Sequence, residues 1–365
     1  MDFTPTEAQT DLARLTGEIC AKLVTADRLR ELDTQGRYDE QLWKSLAETG
    51  VLAAALPEDL GGSDFGTLEQ SAILRELGRV VAAVPYLSSI VLGAGALARF
   101  GDAEQRQLAA RAGTGEVVLT AALAEELRAT TDAPAIVAES AGDAWTLTGS
   151  ATTVPYADRA ERILVPASVS GRPAVFVVDP EHASVTRTAQ QVVDLSPEFA
   201  VEFAATPATL LGTVESGADV LTWLREHAWL GLSALQLGTL ERALEITAEH
   251  TRTREQFGKA IGSFQSVAQR LADAYIDIGG LRLTVTQAAW RLSEGLPATE
   301  SVHIAKFWAA DAGHKVAHTV VHVHGGLGID RDHITHNYFT AAKHNEFALG
   351  GATPHLLALG AELAS

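Results

Sequence analysis

One cysteine, Cys20, is the whole thiol inventory of the chain. No intrachain disulfide can form, and nothing points to an oxidising compartment. Basic side chains are scarce: 28 lysines and arginines stand against 46 carboxylates, for a net charge of −18. So acidic a chain lacks the basic face that phosphate neutralisation needs, which argues against general nucleic-acid binding. A small anionic ligand stays open, because it requires only a local basic site or a helix N-terminus. No uninterrupted apolar run reaches the ~20 residues of a membrane span. The opening segment MDFTPTEAQTDL has neither a basic n-region nor an apolar h-region. These absences predict a cytoplasmic protein. What is present, 365 residues at 47% apolar, suffices for two to three domains with several cores.

The first part of the chain reads as helices. Thr4 is placed as an N-cap, with Pro5 at the first helical position and Glu7 closing a capping box. Leu12, Leu15, Ile19 and Leu23 follow at amphipathic spacing. QLWKSLAETGVLAAALPEDLGG ends on Pro57 and the Gly61–Gly62 pair, which are stop signals. Further helices are predicted over about 67–81 and 88–100. Near Glu116 the texture changes to short runs rich in valine and threonine: VVLTAAL, AIVAES, AWTLTGS, RILVPAS, AVFVVD and AVEFA. Gly, Pro, Asp and Ser separate them at strand spacing, so a small antiparallel β-domain is expected. After about Gly217 helical periodicity returns. Val267, Leu271, Ala274, Ile278, Leu281 and Val285 form the stripe of a helix in a bundle. The expected plan is mainly α with a central β-domain: helices over 1–115, strands over 116–211, and a helical bundle over 212–365.

Nine of the twelve histidines lie between His303 and His355. His314, His318 and His322 share one helical stripe, a spacing that zinc or copper can use. No HExxH pattern and no nearby cysteine accompany them, which favours a bundle interface or a cofactor edge over a metal. The segment HVHGGLGID places Gly325, Gly326 and Gly328 after that helix. Either a close backbone approach to a ligand or a plain helix C-cap explains these glycines. TRTREQFGKAIGSFQ concentrates Arg252, Arg254 and Lys259, with Phe257 as an apolar anchor, Gly258 as a helix breaker and a new helix near Ser263. It reads as a diphosphate clamp or as a solvated helix corner. GxSxG and Walker A motifs are absent, and Cys20 falls in an amphipathic helix.

REQFGKAIGSFQ, with HGGLG about seventy residues later, and a helix–β–helix plan together resemble the acyl-CoA dehydrogenase family. The stretch LWKSLAETGVLAAALPEDLGGSDFGTLEQSAILRELG is similar to that family's helical domain. The resemblance implies the family's fold, with a C-terminal four-helix bundle. It implies an FAD enzyme that oxidises the Cα–Cβ bond of an acyl-CoA, a carboxylate removing the α-proton while flavin takes the β-hydride. Residue by residue, it places Arg254 on the FAD diphosphate, with Phe257 beside it and Gln265 after the turn. Gly325 and Gly326 match the glycines approaching the ADP moiety, and His322 stands where many members carry glutamine.

Other positions depart from the family pattern. LTAALAEELRATTD replaces the T-E-x-x-x-G-S-D signature, and in GSATTVP Ala151 and Pro155 replace the lysine and a hydroxyl residue. The usual glutamate base falls on Leu349, within ALGGAT. The alternative base position falls near Ala228, with Glu226 two residues away and turned by ~200°. A good clamp without a base resembles the smaller subunit of the α2β2 acyl-CoA dehydrogenases of bacterial steroid side-chain degradation. The resemblance then implies a second, base-bearing subunit. A self-sufficient homotetramer using Glu226 or Glu346, and a non-catalytic FAD-binding or assembly protein, are the other readings.

Overall fold

The computed structural model describes residues 3–126, 133–141 and 144–364. The signature stretch LTAALAEELRATTD lies partly outside them, from residue 127 to 132. The helices run α1 (Glu7–Leu23), α2 (Ala26–Thr34), α3 (Glu40–Glu48), α4 (Thr67–Arg79), α5 (Gly95–Phe100) and α6 (Ala103–Gly113). A π-helix, Tyr86–Ala94, leads directly into α5. Seven strands follow: β1 (Val118–Ala121), β2 (Val137–Ala141), β3 (Ala144–Pro155), β4 (Ala160–Val169), β5 (Arg172–Val178), β6 (Val185–Gln190) and β7 (Glu198–Leu211). The chain then returns to helix: α7 (Gly217–Thr253), α8 (Gln265–Ser293), α9 (Thr299–His324), α10 (Ile334–Phe347) and α11 (Ala352–Ala364). Between α7 and α8 sit two short strands, β8 (Glu255–Gln256) and β9 (Lys259–Ala260).

Two details correct the sequence reading. The first helix is capped by Thr6, not Thr4, and its capping box closes with Gln9. Both threonines have the required partner three positions on, but Pro5 then precedes the cap instead of opening the helix. The β-domain is mixed instead of purely antiparallel, because β1 pairs parallel with β4. Its path β1-β4-β2-β3-β7-β5 curls back on itself, since β5 also pairs with β4. Alternate strand residues fill the enclosed core, among them Leu147, Ile163, Val165, Phe176, Val178, Val201 and Phe203.

The chain forms two compact units, each assembled from separated segments. One comprises residues 32–66 and 83–228, and includes the β-domain. The other comprises residues 1–31, 67–82 and 229–365. In this second unit α8 packs on α9, which carries α10 and α11. Glu241 on α7 is buried between Arg75 of α4 at 2.6 Å and Arg282 of α8 at 2.7 Å. Two guanidiniums on one buried carboxylate compensate its desolvation, so the three helices are tied at one point.

Candidate functional site

The hairpin between α7 and α8 shapes one side of a cavity of about 570 Å³. Phe257 and Gly258 form its two-residue turn, at φ +55 and +77. Two positive φ values in succession suit a tight hairpin, but they strain a phenylalanine, at a cost of roughly 1–2 kcal/mol. Phe257 is also 94% exposed. The expected apolar anchor therefore points outward, with the Phe264 ring 6.1 Å away edge-on.

Arg254 lines the cavity together with Phe257, Phe264, Arg270, His322 and Gly325. No ion pair engages the Arg254 or Arg270 guanidinium among the described residues, and no carboxylate lines the cavity. The start of α8 faces it through Ser266 and Val267, and Phe264, its N-cap residue, offers no side-chain acceptor. The Val267 N–H donates to the Phe264 carbonyl, so the helix dipole and the Ser266 amide are what this start offers an anion. Gln265, predicted to join this group, opens α8 but does not line the cavity.

The three glycines of HGGLG separate by role. A Cβ at Gly328 would lie 2.5 Å from the Val321 carbonyl oxygen, so that glycine serves packing. Gly325 ends α9 at φ +61, ψ −132, a conformation essentially reserved for glycine. At Gly325 and Gly326 an added Cβ would meet nothing of the protein within 4 Å. That open space adjoins the cavity, as expected where a ligand approaches the main chain. His322 is exposed at its rim.

Besides Arg270, the lining residues that the sequence reading left unmarked include two histidines: His250, one turn before Arg254, and His324. Their rings stack, with centroids 4.3 Å apart at 23°. Burial holds both below the ordinary histidine pKa. His324 is 5% exposed, and its Nε2 is buried with no hydrogen-bond partner. An open glycine cradle, arginines without an ion pair among the described residues and a helix start facing the cavity fit the diphosphate of a dinucleotide cofactor such as FAD. No group of three or more metal-ligating side chains is arranged for an ion among the described residues. His314 instead bonds the Glu346 carboxylate at 3.1 Å, and His318 packs on His314.

The loop after α10 has the opposite character. Leu349 sits there half-buried at φ +52. Trp229 Nε1 donates to its carbonyl oxygen at 3.1 Å, and His355 Nε2 donates to the same atom at 3.2 Å. With that nitrogen protonated, Nδ1 of His355 accepts from His303 Nδ1 at 2.9 Å. Burial pushes His355 down to about 3. Beneath the loop, the fully buried Lys306 donates to the carbonyls of Asn345, Glu346 and Gly350 at 3.0, 3.2 and 2.8 Å. Burial lowers its pKa to about 7, yet three acceptors and the α10 C-terminus favour the ammonium. Glu346 is buried and held by Lys343 at 2.6 Å as well as by His314. Its carboxylate is therefore engaged within the fold. Glu226 is half-exposed on α7, and Ala228 is buried.

Two family descriptions match the chain: the N-terminal domain of acyl-CoA dehydrogenases over residues 6–112, and the C-terminal domain over residues 215–363. The chain belongs to the acyl-CoA dehydrogenase family. It is 48% identical to acyl-CoA dehydrogenase FadE27 of Mycobacterium tuberculosis, over 100% of this chain and 99% of that one. Its structure is similar to a chain of the ChsE4-ChsE5 complex from the same organism, at 49% identity and a TM-score of 0.95 over 100% and 99% of the two chains. It also matches a chain of the Tcur3481-Tcur3483 steroid ACAD, a variant, at 36% identity and a TM-score of 0.94 over 98% of each chain. Members of the family are oxidoreductases acting on acyl-CoA thioesters, and among the described residues no helix is long and apolar enough to cross a membrane.

Proposed function

We propose that this chain is one subunit of a flavin-dependent acyl-CoA dehydrogenase, an α2β2 heterotetramer whose other subunit supplies the catalytic base. The substrate would be an acyl-CoA bearing a steroid side chain, and the assembly would work in the cytoplasm. The observation that carries the reading is the contrast within one unit. The corner around Arg254 is cationic and incompletely bonded, while the resemblance to the family puts Leu349 at the usual glutamate's position. The similar ChsE4-ChsE5 complex and the steroid ACAD pair support a paired assembly and the substrate class.

Bound FAD would supply the hydride acceptor. The chain's own residues do the holding. Arg254 opposes the diphosphate charge, the Ser266 amide at the start of α8 adds a donor, and Gly325 and Gly326 let the main chain come close. His322 adds a donor at the rim, and Gln265 stays a candidate through its place on the first turn of α8. Ala151 and Pro155 lack the polar side chains of the family signature, so the flavin-ring pocket would be completed elsewhere. We retain the division into a helical domain to 115, a β-domain to 211 and a helical bundle beyond.

Purification with and without a base-bearing partner tests the proposal. The pair should carry one flavin per two unlike chains and turn over acyl-CoA, while the isolated chain should show little turnover. One flavin per identical chain with full turnover would make it a self-sufficient homotetramer. No flavin in either preparation would leave an assembly role.

A further inference from the structure

Arg270 stands on α8 one turn beyond Ser266, with a carboxylate at hand that it does not use. Asp273 follows three positions later on the same exposed helix surface. At that spacing Arg28 pairs with Glu31, Arg242 with Glu245 and Arg252 with Glu249, at 2.9 to 3.1 Å. Among the described residues Arg270 makes no ion pair, and it lines the cavity together with Ser266 and Val267. A helical side chain leans back over the residues three and four before it. Arg270 therefore reaches toward the start of α8.

That is the wrong end of a helix for a cation. A helix start is the positive end of its dipole and favours a carboxylate. Accordingly α1, α4, α6, α7 and α9 each place an aspartate or glutamate in the first turn, whereas the first turn of α8 holds no acid. Arg254, the residue after α7, brings a second guanidinium to the same cavity, and among the described residues no carboxylate lines it. Two guanidiniums and a positive helix end thus share one space, in a chain whose net charge is −18. Arg270 is exposed, so a ligand can reach it. An anion with two negative charges turns the mutual repulsion into attraction, and a diphosphate carries them on adjacent phosphoryl groups.

We propose that Arg270 is the second arginine of the clamp, so that the FAD diphosphate is held between one guanidinium from α8 and one from the end of α7. This rests on the clamp reading above and adds a binding residue that lies in neither REQFG nor HGGLG. Each guanidinium is a planar fork that can take two oxygens. Two forks fix the orientation of the diphosphate as well as its charge, which a lone arginine or a lysine does not.

Titration of FAD and of ADP into the flavin-stripped protein, in the assembly in which it purifies, tests this. ADP carries the diphosphate without the flavin. Arg270→Ala should weaken both ligands by the same factor, roughly ten- to hundred-fold, and leave the thermal midpoint of the flavin-free protein where it was. Arg270→Lys should recover part of the loss, more at low salt than at high, because it restores a point charge without the fork. If Arg270→Ala binds both ligands as wild type does while Arg254→Ala is impaired, the inference is overturned and the clamp stands. A loss confined to FAD overturns it too, since Arg270 would then serve the flavin half. So does a loss that comes with a lowered midpoint and no recovery in the lysine variant, which would make the residue structural. Wild type that binds neither ligand, or full affinity in both arginine variants, removes the clamp and the inference together.

Discussion

Where α9 ends, His324 Nε2 is buried without a partner and, among the described residues, Arg254 and Arg270 meet no carboxylate, whereas where α10 ends the donors of Lys306, Trp229 and His355 are engaged. Lys306 directs three bonds at the loop, and Trp229 and His355 converge on the Leu349 carbonyl. The first corner is under-bonded and the second is saturated. Unmet polar groups cost free energy unless something outside the fold meets them, which is why the under-bonded corner is the one proposed to hold the cofactor. The saturated corner marks a rigid element. Both corners carry residues in left-handed conformations, Phe257 and Leu349. At Leu349 two side chains bond the strained residue's own carbonyl, whereas the Phe257 turn is held by the β8–β9 pairing that flanks it.

If that contrast is right, substitutions at the two corners should act on different observables. The largest effect is expected from Lys306→Ala, which opens a cavity and strips three buried carbonyls of their donor. It should lower stability by roughly 2–5 kcal/mol, read as a fall in the thermal midpoint; an unchanged midpoint would mean the loop does not need the lysine. Arg254→Ala should do the reverse. The midpoint should hold, while FAD affinity falls by roughly 1.5–3 kcal/mol, seen as flavin lost on gel filtration.

The saturated corner also predicts a pH response. Burial depresses His355 to about 3, and in the other unit, away from this corner, it holds His227 at about 4, so the unfolded chain binds protons that the folded one refuses. Stability should be full above the ordinary histidine value near 6.5 and drain away as pH falls toward those values. A flat thermal midpoint between pH 7 and pH 4.5 would contradict this. The smallest effect is expected at Phe257→Asn. Asparagine tolerates positive φ, so the chain without flavin should gain about 0.5–1 kcal/mol in stability and retain flavin less well.

Much of the clamp was legible because its residues are local to two short motifs. Arg254, Gly325 and Gly326 were placed by the resemblance of those motifs to the family, since spacing and the behaviour of glycine left a solvated corner and a helix C-cap open. His250 and His324 could not be placed, since their stacking is made by tertiary packing across more than seventy positions. The available hint was that His250 stands one turn before Arg254, on the same helix face. In the fold, α2 went unpredicted because ADRLRELDT has only Leu29 and Leu32 for an apolar stripe. Likewise α6 was missed although Asp102 and Gln105 form a capping box. Strand β6, VTRTAQ, is mostly polar and pairs only with β7. The parallel β1–β4 pairing depends on connectivity that strand composition does not encode. At Leu349 the sequence offered a missing carboxylate, but only the structure supplied the locked loop around it.

The central claim is that this chain contributes a cofactor clamp and no base. Its most direct test is turnover by the assembled, flavin-loaded protein carrying Glu346→Gln or Glu226→Gln, normalised to bound flavin. Glu346 is already held by Lys343 and His314, so the account predicts that most of the rate survives either change. A loss of ~10²–10⁴, the usual cost of removing a general base, would show that this chain carries the base after all.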